Sequence, residues 1–325
     1  MKRIAICAGG DSPEWEVSMK GARQFMEWLD KNLFEPVIVH IKGTDWKAIT
    51  QSGNEYPVDK NNFSFTVDKT NYTFDYALIN IHGRPGENGV LQSYLELLNI
   101  PYNTCGVLSS ALTFNKYACK TFLSAFCIKS AKGILVRRHD TINEDEIVRQ
   151  LGLPCFIKPN NSGSSFGVSK VKEKKDIRQA IENALKEDDE VLVEEFLKGT
   201  EITNGVARID GKKVSMPITE IVSKNEFFDY EAKYTSGISE EITPARISRE
   251  LEAKCKAISS TIYDLLDCRG IVRIDYIIKN DELFMLEVNT TPGMSPSSII
   301  PQQIKAMGST VTEVYSKIIL STFRH

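Results

Sequence analysis

The first third of the chain alternates short apolar runs with stretches whose apolar residues recur at helical spacing. Three runs have the length and β-branched composition of strands, at residues 3–8, 36–41 and 75–81. Helical spacing follows at Ser18 to Leu29 and at Asn88 to Leu98. Strands that alternate with helices are typical of a parallel sheet covered by helices, so an N-terminal α/β layer is predicted.

The remainder is predicted to be mixed, with an α+β arrangement in the C-terminal half. Further strands are predicted at 133–136, 154–158, 167–171, 190–196 and 197–209. Helices are predicted at 108–126, 143–151, 175–187 and 248–267, with an irregular segment at 222–246. An exit from the first unit at Pro101 to Gly106 and a second boundary near residue 195 predict three domains, 1–105, 106–195 and 196–325.

Two β-type runs near the C-terminus, 270–278 and 283–289, predict an antiparallel hairpin because the residues between them have turn composition. We place the centre of the turn at Asp281. Asp275 then lies opposite Glu287.

The same register brings four polar side chains to one face of this hairpin, and they are Arg273, Asp275, Glu287 and Asn289. Two facing carboxylates repel each other unless a cation lies between them. Carboxylate and amide oxygens suit Mg²⁺ or Mn²⁺, and Mg²⁺ held this way usually accompanies a bound phosphate. The alternative is a solvated hairpin face, which spacing alone does not exclude.

Composition narrows the classes of partner. The 325 residues are 42% hydrophobic and 26% charged, with a formal net charge of −3, which gives no electrostatic reason to expect nucleic acid or an anionic membrane as partner. The apolar runs are strand-sized, so neither a transmembrane helix nor a signal peptide is predicted. Seven cysteines without a Cys-x-x-Cys pair predict reduced thiols in the cytoplasm.

A predicted strand ends on Lys158 and enters a loop rich in Asn, Ser and Gly that includes Ser164. Small residues let backbone N–H groups approach phosphate oxygens, and the lysine adds charge. The Gly-Lys-Ser/Thr ending of a Walker A loop is missing, so a flexible surface turn is the alternative.

Other segments carry weaker signals when each is taken alone. Glu194 and Glu195 end a strand, where they can accept hydrogen bonds from an adenine amino group or ribose hydroxyls. The alternative is that they remain solvated. Glu14 follows the first strand, where it can bind an ammonium group of a ligand. The alternative is that it stabilises the N-terminus of the next helix through the helix dipole. His82 occupies a similar loop and is more often structural. Lys233 and Tyr234 lie in the irregular segment, which has the character of a lid.

Taken in order, these segments resemble the D-alanine–D-alanine ligases of the ATP-grasp superfamily from Gly9 to about Pro301. The resemblance implies a three-domain ATP-grasp fold that holds ATP between the central and C-terminal domains. It assigns ATP phosphates to Lys116 and Lys158, and two Mg²⁺ (or Mn²⁺) ions to Asp275, Glu287 and Asn289. It assigns the adenine and ribose site to Glu194, Glu195, Phe196, Leu197 and Glu201.

The implied reaction forms an acyl phosphate from one D-alanine and ATP, which the amine of a second D-alanine then attacks. Arg273 and the Gly293 backbone would stabilise the oxyanion, and Ser298 would hold the second carboxylate. The resemblance also implies that Glu14 and His82 hold the first ammonium, that Lys233 assists the γ-phosphate, and that Glu14, Ser164 and Tyr234 form a hydrogen-bonded lock. A homodimer is a further family expectation.

The chain departs from the family pattern at Trp15, Asn88, Ser162 and Glu195, and none of these removes a proposed chemical group. D-alanine–D-lactate or D-alanine–D-serine ligation is the nearest alternative function. A catalytically silent nucleotide-binding protein would be expected to lack a metal ligand or a phosphate lysine, and none of them is missing. Another carboxylate–amine ligase would explain the hairpin but not Glu14 and the Lys233-Tyr234 pair.

Overall fold

The computed structural model describes residues 1–163, 166–223 and 239–323, and three β-sheets organise them. The first sheet has the order β6-β5-β4-β3-β2-β1-β7. Its strands are β1 Lys2–Gly9, β2 Phe34–Lys42, β3 Asp45–Ile49, β4 Glu55–Asp59, β5 Ser64–Val67, β6 Thr70–Thr73 and β7 Tyr76–Ile79. Helices α1 Trp15–Trp28 and α2 Val90–Leu97 belong to this region.

The parallel layer predicted for this region is confirmed for three strands at one end of the sheet, since β1 pairs in parallel with β2 and β7. Residues 4–8 of β1 are fully buried, as expected for a strand covered on both faces. Strands β3 to β6 add an antiparallel extension that the sequence did not predict. They are short and only partly buried, so their hydrophobic signal is weak.

The second sheet is antiparallel and has the order β10-β9-β11-β8. Its strands are β8 Gly133–Arg137, β9 Cys155–Pro159, β10 Ser169–Val171 and β11 Glu190–Glu195. Helices α5 Glu144–Leu151 and α6 Ile177–Ala184 pack on one face, around a core that includes Ile147, Ile157, Ile177, Ile181 and Val193. The opposite face carries Lys158 and Glu194.

The third sheet has the order β15-β14-β12-β16-β17, with β13 paired to β12. Its strands are β12 Thr200–Ile209, β13 Lys212–Ser215, β14 Thr219–Ser223, β15 Ser239–Ile242, β16 Ile271–Lys279 and β17 Glu282–Asn289. The helices that follow or precede its strands are α7 Arg249–Leu265, α8 Ile299–Ala306 and α9 Val311–Ser321. None of the helices described is long and apolar enough to cross a membrane.

One predicted helix is wrong, because residues 108–126 form two helices, α3 Val107–Phe114 and α4 Lys116–Ser124. Asn115 separates them with an extended backbone, and its side chain accepts a hydrogen bond of 2.9 Å from the Ala118 N–H. This capping interaction begins a new helix at Lys116.

The predicted facing of Asp275 and Glu287 is confirmed. The predicted centre of the turn, Asp281, is half a residue too far towards the C-terminus, because the observed centre lies between Asn280 and Asp281. Lys279 pairs with Glu282, so the turn consists of Asn280 and Asp281, both with positive φ. A β-bulge then inserts Leu286 and shifts the register by one residue. Without the bulge, Glu287 would lie on the opposite face of the hairpin.

Packing joins the first and third sheets. Ile6 and Phe25 of the first region share one hydrophobic cluster with Ile271 and Tyr315 of the last. The second sheet has a separate core. A cleft therefore opens between the second sheet and the joined pair.

Candidate functional site

A cavity of about 1270 Å³ fills this cleft and is lined by all three regions. Every site residue predicted from the sequence and present in the described ranges lines it, namely Glu14, His82, Lys116, Lys158, Glu194, Glu195, Phe196, Leu197, Glu201, Arg273, Asp275, Glu287, Asn289, Gly293 and Ser298. Ser164, Lys233 and Tyr234 lie outside the described residues. The three sheets thus bring together residues that are more than 280 positions apart in sequence.

The second sheet and α4 contribute what we call the lysine wall, formed by Lys116, Lys120, Lys158 and Glu194. Glu194 is 3% exposed and pairs through one oxygen with Lys120 and through the other with Lys158, at 2.5 Å. Burial opposes its ionisation, but the two lysines outweigh burial and hold the pKa of Glu194 below its ordinary value. The carboxylate assigned to the nucleotide site therefore also fixes two lysines beside it.

Lys116 is fixed by the N-terminus of α4 against the loop that follows β9. The Lys116 N–H donates to the Asn160 carbonyl at 3.2 Å, and the Tyr117 N–H donates to the Asn160 side chain at 2.8 Å. The Lys116 ammonium donates to the Ser162 carbonyl. Helix start, lysine and polar loop thus form one unit, which places the positive charge of Lys116 in the cavity wall, where a phosphate would need it.

The end of β11 and the residues after it form an apolar part of the cavity. The Phe196 ring lies 5.8 Å from that of Phe156, and the Lys170 ammonium lies 4.0 Å above the Phe196 ring. Glu195 differs from Glu194, because its side chain accepts a hydrogen bond of 2.9 Å from the Lys132 N–H. Leu197 is buried beside them. Aromatic and aliphatic surface next to lysines is suited to a flat heterocycle that carries phosphates.

The third sheet contributes what we call the hairpin wall, formed by Arg273, Asp275, Glu287 and Asn289. Arg273 donates two hydrogen bonds to the Asp275 carboxylate, of 2.9 and 2.8 Å. Thr203 and Asn289 also donate to Asp275, the latter at 3.0 Å. Burial opposes the Arg273 charge, but Asp275 outweighs burial and raises the pKa of Arg273 above its ordinary value. The guanidinium is thereby fixed at the edge of the cavity.

The donor set of the hairpin wall fits a hard divalent cation. Asp275 and Glu287 face each other across β16 and β17, and the Asn289 amide lies beside them. Oxygen donors of this type suit Mg²⁺ or Mn²⁺. Over the described ranges there is no group of three or more His, Cys, Asp and Glu side chains arranged for a metal.

The first region adds a compact acidic group at the edge of the cavity. Glu14 precedes α1, and its carboxylate lies 3.0 Å from where a Cβ on Gly163 would be, so glycine lets the loop approach closely. Burial lowers the pKa of His82, although Glu14 acts in the opposite direction. Burial raises the pKa of Glu87 to about 8, with a further contribution from Glu14.

Gly293 and Ser298 lie in the segment between β17 and α8. The Ser298 hydroxyl accepts a hydrogen bond of 3.0 Å from the Ser295 N–H, which closes a turn. A Cβ on Gly293 would lie 3.1 Å from the Ser298 Oγ, so a side chain there would crowd the turn. Gly293 itself lines the cavity.

Sequence reasoning missed three charged residues that line or support the cavity, Lys120, Glu87 and Glu241. Burial lowers the pKa of Lys120 to about 8, and Glu194 opposes this effect. Lys120 lies one helical turn after Lys116, and that spacing was an available signal. Glu241 had none, because it lies at the end of a segment without periodicity.

Two family models match the chain. The model described as D-ala D-ala ligase N-terminus matches residues 3–105, and the one described as D-ala D-ala ligase C-terminus matches residues 122–320. A D-alanine–D-alanine ligase from Phocaeicola vulgatus is 49% identical over 99% of this chain and 100% of its own length.

Solved structures agree with this assignment. The VanG D-Ala:D-Ser ligase from Enterococcus faecalis superimposes with a TM-score of 0.85 at 34% identity, covering 98% of both chains. A D-alanine–D-alanine ligase from Bacillus anthracis, complexed with ATP, superimposes with a TM-score of 0.80 at 29% identity, covering 100% of this chain and 98% of the other.

Proposed function

The chain belongs to the D-alanine–D-alanine ligase family, and we propose that it joins two D-alanine molecules for peptidoglycan precursor synthesis. The observation that carries the proposal is the pair of opposed walls in one cavity. Lys116 and Lys158 line one side, with the buried Lys120–Glu194 pair behind them, and two facing carboxylates beside a fixed arginine line the other. A phosphoryl donor and a carboxylate acceptor both need such an arrangement.

ATP lies between the two walls in this proposal. Lys116 and Lys158 contact its phosphates, while adenine and ribose occupy the site formed by Glu194, Glu195, Phe196, Leu197 and Glu201. Asp275, Glu287 and Asn289 hold two Mg²⁺ or Mn²⁺ ions. When bound, the metals supply charge neutralisation at the phosphate oxygens. Arg273 keeps Asp275 oriented meanwhile.

The substrates occupy the other end of the cavity. Glu14, supported by His82, holds the ammonium of the first D-alanine, whose carboxylate attacks the γ-phosphate. The amine of the second D-alanine then attacks the acyl phosphate. Arg273 and the Gly293 N–H stabilise the oxyanion that forms, and Ser298 holds the second carboxylate. Closure of the site keeps water away from the acyl phosphate.

The remaining assignments follow from the family resemblance. Lys233 assists the γ-phosphate, and Ser164 and Tyr234 complete a lock with Glu14. The domain bounds 1–105, 106–195 and 196–325, a cytoplasmic location and a homodimer belong to the same proposal. Each is supported by family membership alone.

The test is ATP-dependent phosphate release with Mg²⁺ and D-alanine, with the product identified by mass spectrometry. We expect release with D-alanine alone and D-alanyl-D-alanine as product. Arg273→Lys should keep ATP binding and lose most ligation, because an ammonium cannot reproduce the two-pronged contact with Asp275. An absence of phosphate release from the folded wild-type protein would refute the proposal.

A D-alanine–D-serine ligase is the second candidate, favoured by the similarity to VanG at 34% identity. D-lactate ligation is the other alternative within the family. Competition between D-alanine and either D-serine or D-lactate, at equal concentrations, separates the three. We expect D-alanine to be incorporated in excess at the second position.

A further inference from the structure

Glu241 of β15 is a carboxylate in the cavity wall for which no role has been assigned above. It pairs with Ile221 of β14 and is partly buried. The Gln302 side-chain amide donates to the Glu241 carboxylate at 2.7 Å and to the Ser297 carbonyl at 2.9 Å. Gln302 therefore ties Glu241 to the segment that ends in Ser298, where the second substrate is proposed to bind.

Burial and two polar neighbours act on the charge of Glu241 in opposite directions. Burial raises the pKa of this carboxyl, while Gln302 and Arg273 lower it. Glu201 and Glu287 of the same sheet, and Glu16 and Lys20 of α1, are other charged groups of this cavity wall. On the neighbouring strand, Glu220 is neutralised by its ion pair with Arg246.

The proposed reaction needs a group of this kind. An amino acid enters at neutral pH with a protonated amine, which has no lone pair with which to attack. The proposed phosphate, metal and oxyanion contacts leave that proton without an acceptor. We propose that Glu241 binds the ammonium group of the second amino acid and accepts its proton before attack, an inference that rests on the ligase function proposed above.

One N–H bond of the ammonium breaks and its proton goes to a Glu241 oxygen. The freed lone pair forms the C–N bond to the acyl phosphate, and the carbonyl electron pair moves to the oxygen beside Arg273 and the Gly293 N–H. Collapse of this oxyanion breaks the bond from carbon to the phosphate oxygen. The remaining surplus amine proton leaves with phosphate, and Glu241 returns its proton to solvent.

Glu241→Gln tests the proposal because the amide still accepts the hydrogen bond from Gln302 but no longer accepts a proton. The variant is compared with wild type in two assays, D-alanyl-D-alanine formation and trapping of the acyl phosphate by hydroxylamine. Hydroxylamine is largely unprotonated at neutral pH and needs no base. We expect dipeptide formation to fall about 100-fold while hydroxamate formation remains normal. Dipeptide formation by the variant should recover as pH rises and the substrate amine loses its own proton.

Two further variants make the outcome decisive. Glu240→Gln removes the adjacent exposed acid and should leave both assays unchanged. Gln302→Leu removes a hydrogen bond that favours the ionised form of Glu241, so the acidic limb of the pH–rate profile should move to higher pH. An equal loss in both assays for Glu241→Gln would mean that Glu241 only anchors β15, and an unchanged dipeptide rate would also overturn the proposal. Wild-type activity tests the ligase function separately.

Discussion

The lysine wall and the hairpin wall use the same device with opposite charge. In the lysine wall, the buried Glu194 holds Lys120 and Lys158, and Lys116 adds a third positive charge. In the hairpin wall, Arg273 and Asp275 neutralise each other, and Glu287 adds a negative charge. Each wall thus has an internal ion pair that fixes its geometry and one further charged side chain that lines the cavity.

The difference between the walls indicates which ligands the cavity binds together. Phosphates are attracted to the lysine wall directly. They would be repelled by the carboxylates of the hairpin wall unless cations lay between them. The polarised cavity therefore favours a nucleotide together with its metals over either alone.

Asp275→Asn should give the largest effect, since it removes a carboxylate from the hairpin wall and leaves the partly buried Arg273 without its partner. We expect kcat/KM for dipeptide formation to fall by roughly 10³-fold. Steady-state phosphate release measures it. Thr203→Val, which loses only one hydrogen bond to Asp275, should cost about 1 kcal/mol in unfolding free energy. Similar kinetics for the two variants would contradict the assigned roles.

Lys120→Met tests whether the lysine wall depends on its buried ion pair as strongly as the hairpin wall depends on the pair of Arg273 and Asp275. Glu194 would keep one lysine instead of two, so we expect a loss of roughly 2–4 kcal/mol in the free energy of unfolding. Urea denaturation gives the value. Lys116→Met is the matched variant, and it should weaken ATP binding with a smaller loss of stability. If both variants unfolded at the same urea concentration, the buried pair would have no special structural role.

Glu87→Gln tests a cavity carboxylate outside both walls, through the pH dependence of the unfolding free energy. The pKa of Glu87 in the folded state is raised to about 8, so between its ordinary pKa and that value the folded protein binds more protons than the unfolded chain. Its contribution to stability is therefore complete at low pH and is lost as pH rises towards 8.

The variant does not titrate, so it should gain stability relative to wild type by roughly 1–3 kcal/mol above about pH 8, and much less near pH 5. Urea unfolding at the two pH values checks this. A difference that did not change with pH would show that Glu87 is ionised throughout.

Asp281→Gly should give the smallest effect. Asn280 and Asp281 both have positive φ, and glycine adopts this conformation with less strain than aspartate. We expect the unfolding free energy of the protein to rise by about 0.5 kcal/mol, with unchanged ligation. A loss of activity would indicate that the turn sets the register, in place of the bulge at Leu286.

Much of the fold was predictable from local pattern. The three parallel strands of the first sheet and most of the later strands and helices have periodic or strongly apolar sequences. Strands β3 to β6 were missed because their residues are short runs with half-exposed side chains. The break between α3 and α4 was missed because Asn115 acts through one capping hydrogen bond, which the periodicity of its neighbours conceals.

The sequence by itself determined which chemical groups are available, because lysines, carboxylates and glycines at the ends of predicted strands carry recognisable chemistry. Only the tertiary structure decided how they meet. The bulge at Leu286 brings Glu287 to the face of Asp275, and two strands of the second sheet bring Lys158 to Glu194. Glu241 reaches the cavity through pairing with β14 and contact with α8. Such contacts join residues far apart in sequence, and burial then sets their charge states, which no local pattern encodes.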